Sequence, residues 1–275
     1  MNKSMRVLTI QDVSCFGQCS TTVALPILSA LGIETPILPT AILSTHTAGF
    51  NDFIFIDLKD ELPKIQKHWE KEGITFDAVY TGYLGAKEDV EVALSIAKGN
   101  LNRGPLIVDP AFGDHGKLYP GFDHHYVEAM VSLIAASDVL LPNLTEAYAL
   151  IGKPYNPNPS KDEINEILND LVRLGAKAVV LKGIGSKENK TGIVTYENGN
   201  IQSYSHPKIS QDFHGTGDVF ASVFTAAFLH QKGLLEAGKI ACDFVYRCIE
   251  NTIGEANHAY GVIFEPLLGS LAKEF

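Results

Sequence analysis

Short apolar runs alternate along this chain with longer segments whose apolar residues recur every three or four positions. The runs at 6–12, 35–40, 76–80, 105–109, 138–141 and 178–181 are rich in Val, Ile and Leu, and they predict β-strands. Between them, helical spacing predicts helices over 20–31, 57–71, 89–98, 126–136, 143–151 and 164–174, with two more from 217 and over 235–252. Gly32 and Gly73 stand where the first two of these helices should stop, while Pro26 either sits near the first turns of the first helix or kinks it. Near the C-terminal end, 191–196 and 201–204 flank Glu197-Asn198-Gly199-Asn200, the pattern of a β-hairpin.

Strands that alternate with helices pair in parallel through helical crossovers. The expected fold class is therefore α/β, a three-layer α/β/α sandwich with a mostly parallel central sheet and an antiparallel edge hairpin. No repeat, low-complexity tract or linker divides the chain, so residues 1–275 read as a single domain. Composition agrees, with 45% hydrophobic and 20% charged residues. A net charge of −10 argues against nucleic acid and anionic membranes as partners. The first apolar run is too short for a signal-peptide core, and no window nears the roughly 18 apolar residues of a membrane span. The four cysteines, Cys15, Cys19, Cys242 and Cys248, form no Cys-x-x-Cys pair, and reduced thiols in a cytoplasmic protein are expected.

Candidate chemistry concentrates in Asp212-Phe213-His214-Gly215-Thr216-Gly217-Asp218, ahead of an apolar helix face formed by Val219, Phe220, Val223, Phe224, Ala227 and Phe228. Gly215 and Gly217 allow a tight turn and close approach of an anion. The first N–H groups of a helix lack internal partners and carry the positive end of its dipole, which suits a phosphate. Asp218 would repel that phosphate unless it has a task there, and accepting a proton from an attacking hydroxyl is such a task. Read alone, the same residues also describe an ordinary helix start, with Asp218 complementing the dipole.

The strands finish in groups suited to a ligand: Asp12, Tyr83, Asp109, Asn143 and Lys182. Open parallel sheets bind ligands beyond the carboxyl ends of their strands. In Asn143-Leu144-Thr145-Glu146 the spacing fits a helix cap, and it equally fits a carboxylate, Glu146, holding Mg²⁺ through water. Asp109 is a second candidate for the metal, and Lys182 a candidate to offset nucleotide phosphate charge.

Taken together, the pieces resemble the ribokinase superfamily, and most closely its pyridoxal kinase branch. They are Ile10-Gln11, Ser44-Thr45-His46-Thr47, Thr81-Gly82-Tyr83-Leu84-Gly85, Val108-Asp109-Pro110 with Gly113-Asp114, Pro142 to Glu146, and Gly215-Thr216-Gly217-Asp218. The resemblance implies a ribokinase-like fold without a separate lid domain, since the segment between Gly32 and Asp57 has no room for one. It implies Asp218 as catalytic base, with the amides around Gly215, Thr216 and Gly217 holding the transferred phosphoryl group. It further implies Asn143, Lys182, Gly183, Thr216 and Gly217 at the nucleotide, and Glu146 and Asp109 at Mg²⁺. His46, Thr47 and Tyr83 would line the pocket for a pyridine ring, with Asp114 and Tyr119 in a covering loop.

The implied activity is ATP-dependent phosphorylation of the 5′-hydroxymethyl group of a B6 vitamer, by a homodimer. Mg²⁺ is the implied cofactor, and a monovalent cation is a further candidate. One departure concerns Gln11, which pyridoxal kinases usually follow with Ser-His and which here precedes Asp12-Val13-Ser14. A carboxylate at 12 could pair with a protonated pyridine nitrogen or an amine. Two alternatives remain: hydroxymethylpyrimidine kinase, a relative that often has cysteine where Asp218 stands, and a non-catalytic vitamer-binding protein.

Overall fold

The computed structural model describes residues 5–47, 49–185, 189–211, 213–258 and 260–275; Asp212, which opens the glycine-rich motif, lies outside them. The first half runs β1 (Val7–Ser14), α1 (Thr21–Ala30), β2 (Ile37–Leu43), β3 (Phe55–Asp57), α2 (Leu62–Lys71), β4 (Ala78–Thr81), α3 (Lys87–Gly99) and β5 (Leu106–Val108). It continues through β6 (Gly113–Asp114), β7 (Lys117–Leu118), α4 (His124–Ile134), β8 (Val139–Leu140), α5 (Leu144–Leu150) and α6 (Lys161–Arg173). The rest is β9 (Ala178–Lys182), β10 (Lys190–Glu197), β11 (Asn200–Pro207), α7 (Thr216–Leu229), α8 (Leu234–Thr252) and a short α9 (Leu268–Leu271).

Nine strands form one sheet in the order β11-β10-β9-β8-β5-β4-β1-β2-β3. The central pairs from β9 to β2 are parallel. The hairpin β10–β11 adds antiparallel strands at one edge, as its Asn-Gly turn requires. Strand residues divide between two cores by their period of two. Val7, Tyr80, Ile107, Val139 and Val180 join a core with α1, α7 and α8. Their neighbours Leu8, Val79, Val108, Leu140 and Val179 join a second core with α3, α4, α5 and α6. The sheet is therefore covered on both faces, the expected three layers, and its carboxyl-end rim is left for the loops.

Three local expectations change. Residues 57–61 are not helical: Pro63 has no N–H to give and fits only the first turn, so α2 starts at Leu62. Asp57 instead ends a short strand, β3, that pairs antiparallel with β2 at the opposite edge from the β10–β11 hairpin. Inside the 111–121 loop, β6 and β7 form a second small hairpin. His115 and Gly116 at its tip have φ of +50° and +76°, as a two-residue turn of this hand demands. Pro26 lies within α1 without ending it. No helix among the described residues is long and apolar enough to cross a membrane.

Phe224 is fully buried and stacks on Phe220 and Phe228 along α7, with centroids 6.2 and 5.8 Å away. We expect Phe224→Ala to lower unfolding free energy by roughly 3–5 kcal/mol through transfer and cavity losses. A denaturant titration should show a lower midpoint with an unchanged slope.

Candidate active site

Helix α7 opens on Gly215, whose φ of +74° is left-handed. A Cβ there would lie 1.7 Å from the Gln18 carbonyl oxygen, so the turn needs glycine for both conformation and contact. That contact presses the turn onto the loop before α1. Gly217, by contrast, has nothing within 4 Å of its Cβ position, so the front of the helix tip is open.

Asp218 lies in the first turn, half-buried. Its carboxylate accepts a hydrogen bond from the Ser20 amide. Burial pushes its pKa up to about 7, with the charges of Asp109 and Asp12 adding, while the Ser20 amide and the Lys182 charge oppose. Ser20 caps α1 with a positive φ of +54°, a strained conformation for a residue with a Cβ. Its hydroxyl donates to Asp12, which also accepts from the Ser14 hydroxyl at 2.9 Å. Ser20 thus ties the carboxylate on β1 to the one on α7. Pairing between β1 and β2 slips between Gln11 and Val13, an irregularity that falls at Asp12.

Asp109, just past β5, is buried, and Lys182 Nζ donates to both of its oxygens, at 2.9 and 2.8 Å. The lysine reaches from the end of β9 across β8 to do so. Lys182 is therefore turned inward, and a ligand at Asp109 would share that carboxylate with an ammonium.

Glu146 is also buried. Its Oε1 accepts from Phe112 N–H at 3.2 Å and its Oε2 from Asn143 N–H at 2.8 Å, while Asn143 Oδ1 accepts from Glu146 N–H at 2.9 Å. This is the reciprocal capping box, so the cap and the candidate metal carboxylate are the same residue. Burial pushes Glu146 up to about 8; Lys182 pulls it down and Asp109 pushes it further up. With main-chain donors on both oxygens, Glu146 fits a Mg²⁺ ion reached through water rather than a directly bound one.

The β6–β7 hairpin closes over this corner. Asn143 Nδ2 donates to Gly113 O at 2.8 Å, and Gly116 N–H donates to Thr145 Oγ1 at 2.9 Å. Asp114 and Tyr119 on this hairpin segment are exposed.

On the other side, His46 is buried, with Nε2 2.7 Å from Tyr260 O and its ring 5.5 Å from His214. Tyr83 is half-buried and packs on Phe122 at 5.2 Å; burial first, then the charge of Asp12, pushes its hydroxyl up to about 12. Thr47 is exposed. Gly183, with φ of +74°, borders a cavity of about 450 Å³ shared with Asn158, Asn189, Lys190 and Lys208.

Ser20, Cys19 and the two lysines of that cavity had no motif to announce them. Cys19 is pushed well up by burial, with Asp218 and Asp12 adding. All four cysteines are free; Cys15 is exposed and Cys242 and Cys248 are buried.

Residues 25–263 match the phosphomethylpyrimidine kinase family. The chain belongs to this family, within the ribokinase superfamily. The hydroxymethylpyrimidine/phosphomethylpyrimidine kinase of Bacillus subtilis is 31% identical over 251 residues, 90% of this chain and 83% of that protein. A putative phosphomethylpyrimidine kinase of Bacteroides thetaiotaomicron, in a crystal form with pyridoxal, is 35% identical with a TM-score of 0.92, covering 98% of this chain and 96% of its own. Pyridoxal kinase of Lactobacillus plantarum is 30% identical with a TM-score of 0.92, covering 99% and 98%. Family membership makes the chain a phosphotransferase with an alcohol acceptor, and the ribokinase-like fold expected from the motifs is the one observed.

The pH dependence of folding follows from the buried acids. Asp218 is held at about 7 and Glu146 at about 8, and Asp89, which accepts from Ala86 N–H at the start of α3, at about 7. Between roughly pH 4 and 8 the folded chain binds more protons than the unfolded one, so its stability falls as pH rises. We expect the thermal midpoint of the nucleotide-free protein to drop across that window, and Asp218→Asn to make the drop shallower. Equal slopes in both proteins would remove the buried proton from Asp218.

Proposed function

We propose that this kinase transfers the γ-phosphoryl group of ATP to the 5′-hydroxymethyl oxygen of a B6 vitamer, in salvage of pyridoxal 5′-phosphate. The observation that carries the reading is Asp218, a carboxyl held near neutrality at the open tip of α7. A base poised near operating pH is what proton removal from an alcohol asks for. As the substrate oxygen bonds to the γ-phosphorus, its proton passes to the Asp218 carboxylate. The bond to the β,γ-bridging oxygen breaks, and ADP leaves. The amides of Gly215, Thr216 and Gly217 face the charge gathering on the transferred group.

We assign Mg²⁺, when bound, to charge neutralisation on the ATP phosphates, held through water by Glu146. Asn143, Lys182 and Gly183 border the nucleotide, whose base and ribose suit the cavity with Asn158, Lys190 and Lys208. His46, Thr47, Tyr83, Asp114 and Tyr119 surround the acceptor. Asp12, oriented by two serine hydroxyls, is our candidate partner for the pyridine nitrogen or a vitamer amine. The exposed edge strand β3 and the residue before it, with Ile54, Phe55 and Ile56 at 64, 42 and 51% exposure, form the face we assign to a homodimer.

Asp218 also favours this reading over hydroxymethylpyrimidine kinase, where cysteine often stands at that position, and the pyridoxal of the Bacteroides relative's crystal points the same way. The pyrimidine reading is kept by the family description and the Bacillus relative. A non-catalytic binder would gain nothing from a base at the helix tip.

ADP release measured with pyridoxal, pyridoxamine, pyridoxine and the pyrimidine alcohol separates these readings. We expect turnover with at least one vitamer and little with the pyrimidine; the reverse order would transfer the chain to the thiamine precursors. Asp218→Ala should keep ATP affinity and lower turnover by roughly 10²-fold or more.

A further inference from the structure

The strand-end rim collects Asp12, Asp109 and Glu146, all three buried, together with Asp218 in the first turn of α7. Adding a triphosphate increases the negative charge further. Buried carboxylates at such density are either protonated or matched by cations. The cation that the chain itself supplies is Lys182. Its side chain is 13% exposed and its partner Asp109 only 4%, and the ammonium meets both Asp109 oxygens. Meeting two carboxylate oxygens at once takes two N–H donors from one nitrogen, which the three donors of an ammonium supply.

Its placement is fixed by the main chain. Lys182 N–H donates to Pro142 O at 2.8 Å, and Lys182 bridges Asn143 in parallel register. The ammonium is therefore anchored beside the residues that cap α5 and approach the phosphates. An ammonium ion and a potassium ion are close in size and equal in charge, and they compete for the same carboxylate oxygens.

From this geometry we infer that the Lys182 ammonium is a tethered monovalent cation: it fills, among Asp109, Glu146 and Asp218, the position a dissociable alkali cation would need, and so makes this kinase independent of one. The inference rests on the phosphoryl-transfer reading above, and it removes the monovalent cation considered from the sequence. Lys182 acts as a positioning residue. It fixes Asp109, neutralises the rim, and leaves the proton transfer to Asp218.

The test uses the full chain with Lys182→Met, which keeps most of the stem and removes the charge, and Lys182→Ala, which opens space for an exogenous cation. Turnover and thermal unfolding are each measured in potassium, ammonium, methylammonium and tetramethylammonium chloride at equal ionic strength. For the unsubstituted protein we expect turnover and midpoint to be the same in potassium and in tetramethylammonium. Lys182→Ala should lose at least 10-fold in turnover in tetramethylammonium and recover part of it, saturably, in potassium, ammonium or methylammonium. Its midpoint without nucleotide should rise in the same salts, whereas Lys182→Met, with the space filled, should show neither response.

A requirement of the unsubstituted protein for potassium would overturn the inference, as would a Lys182→Ala protein whose midpoint ignores the cation. If neither variant folds, the unsubstituted protein decides alone by its potassium dependence. The unfolding arm needs no turnover, so a failed choice of acceptor shows as absent ADP release with the midpoint pattern intact.

Discussion

Negative groups are gathered in this molecule at a place where electrostatics alone would scatter them. The rim at the carboxyl ends of the parallel strands holds four acidic side chains, three of them almost wholly buried, around the tip of α7. Three things make this tolerable: the main-chain donors of Ser20, Phe112 and Asn143, the Lys182 ammonium, and a proton affinity that burial raises on Asp218 and Glu146. Each partner depends on the fold. The Ser20 amide is presented by a strained cap, the Asn143 amide by a capping box, and the ammonium by a strand two places from its carboxylate. The sheet and its helices hold these groups in place.

The parallel sheet was legible in the sequence because both of its faces are covered. Continuous apolar runs such as 106–108 and 178–181 belong to buried strands, and alternate residues in them serve opposite cores. The hairpin of β10 and β11 was legible from one Asn-Gly pair. Strand β3 was not, because it is three exposed residues long and its last, Asp57, read as the start of the charged helix; only its pairing with β2 makes it a strand. The β6–β7 hairpin has two residues per strand, too few to leave a periodic pattern.

At the site, the motifs identified side chains but not their company. Gly215, Asp218, Asn143 and Glu146 are read from local spacing because each works within one turn of its own helix. The Lys182–Asp109 pair spans 73 residues and the Ser20–Asp218 tie nearly two hundred, and no local window contains either. Glu146 shows how two readings of one motif can share a side chain: the helix cap is observed, and the carboxylate we propose for Mg²⁺ is the same one, so the stability of α5 and the charge of the site are linked.

The four thiols differ in a way useful to an experimenter. Cys242 and Cys248 lie in the core, held at about 12 by burial, and Cys19 keeps its proton beside two acids. Cys15 is the exposed thiol of the four, on the loop that follows β1, whereas Cys19 is half-buried. A maleimide dye should therefore attach at one place without engineering, a few residues from Asp12, where its fluorescence would report occupancy of the cleft in real time.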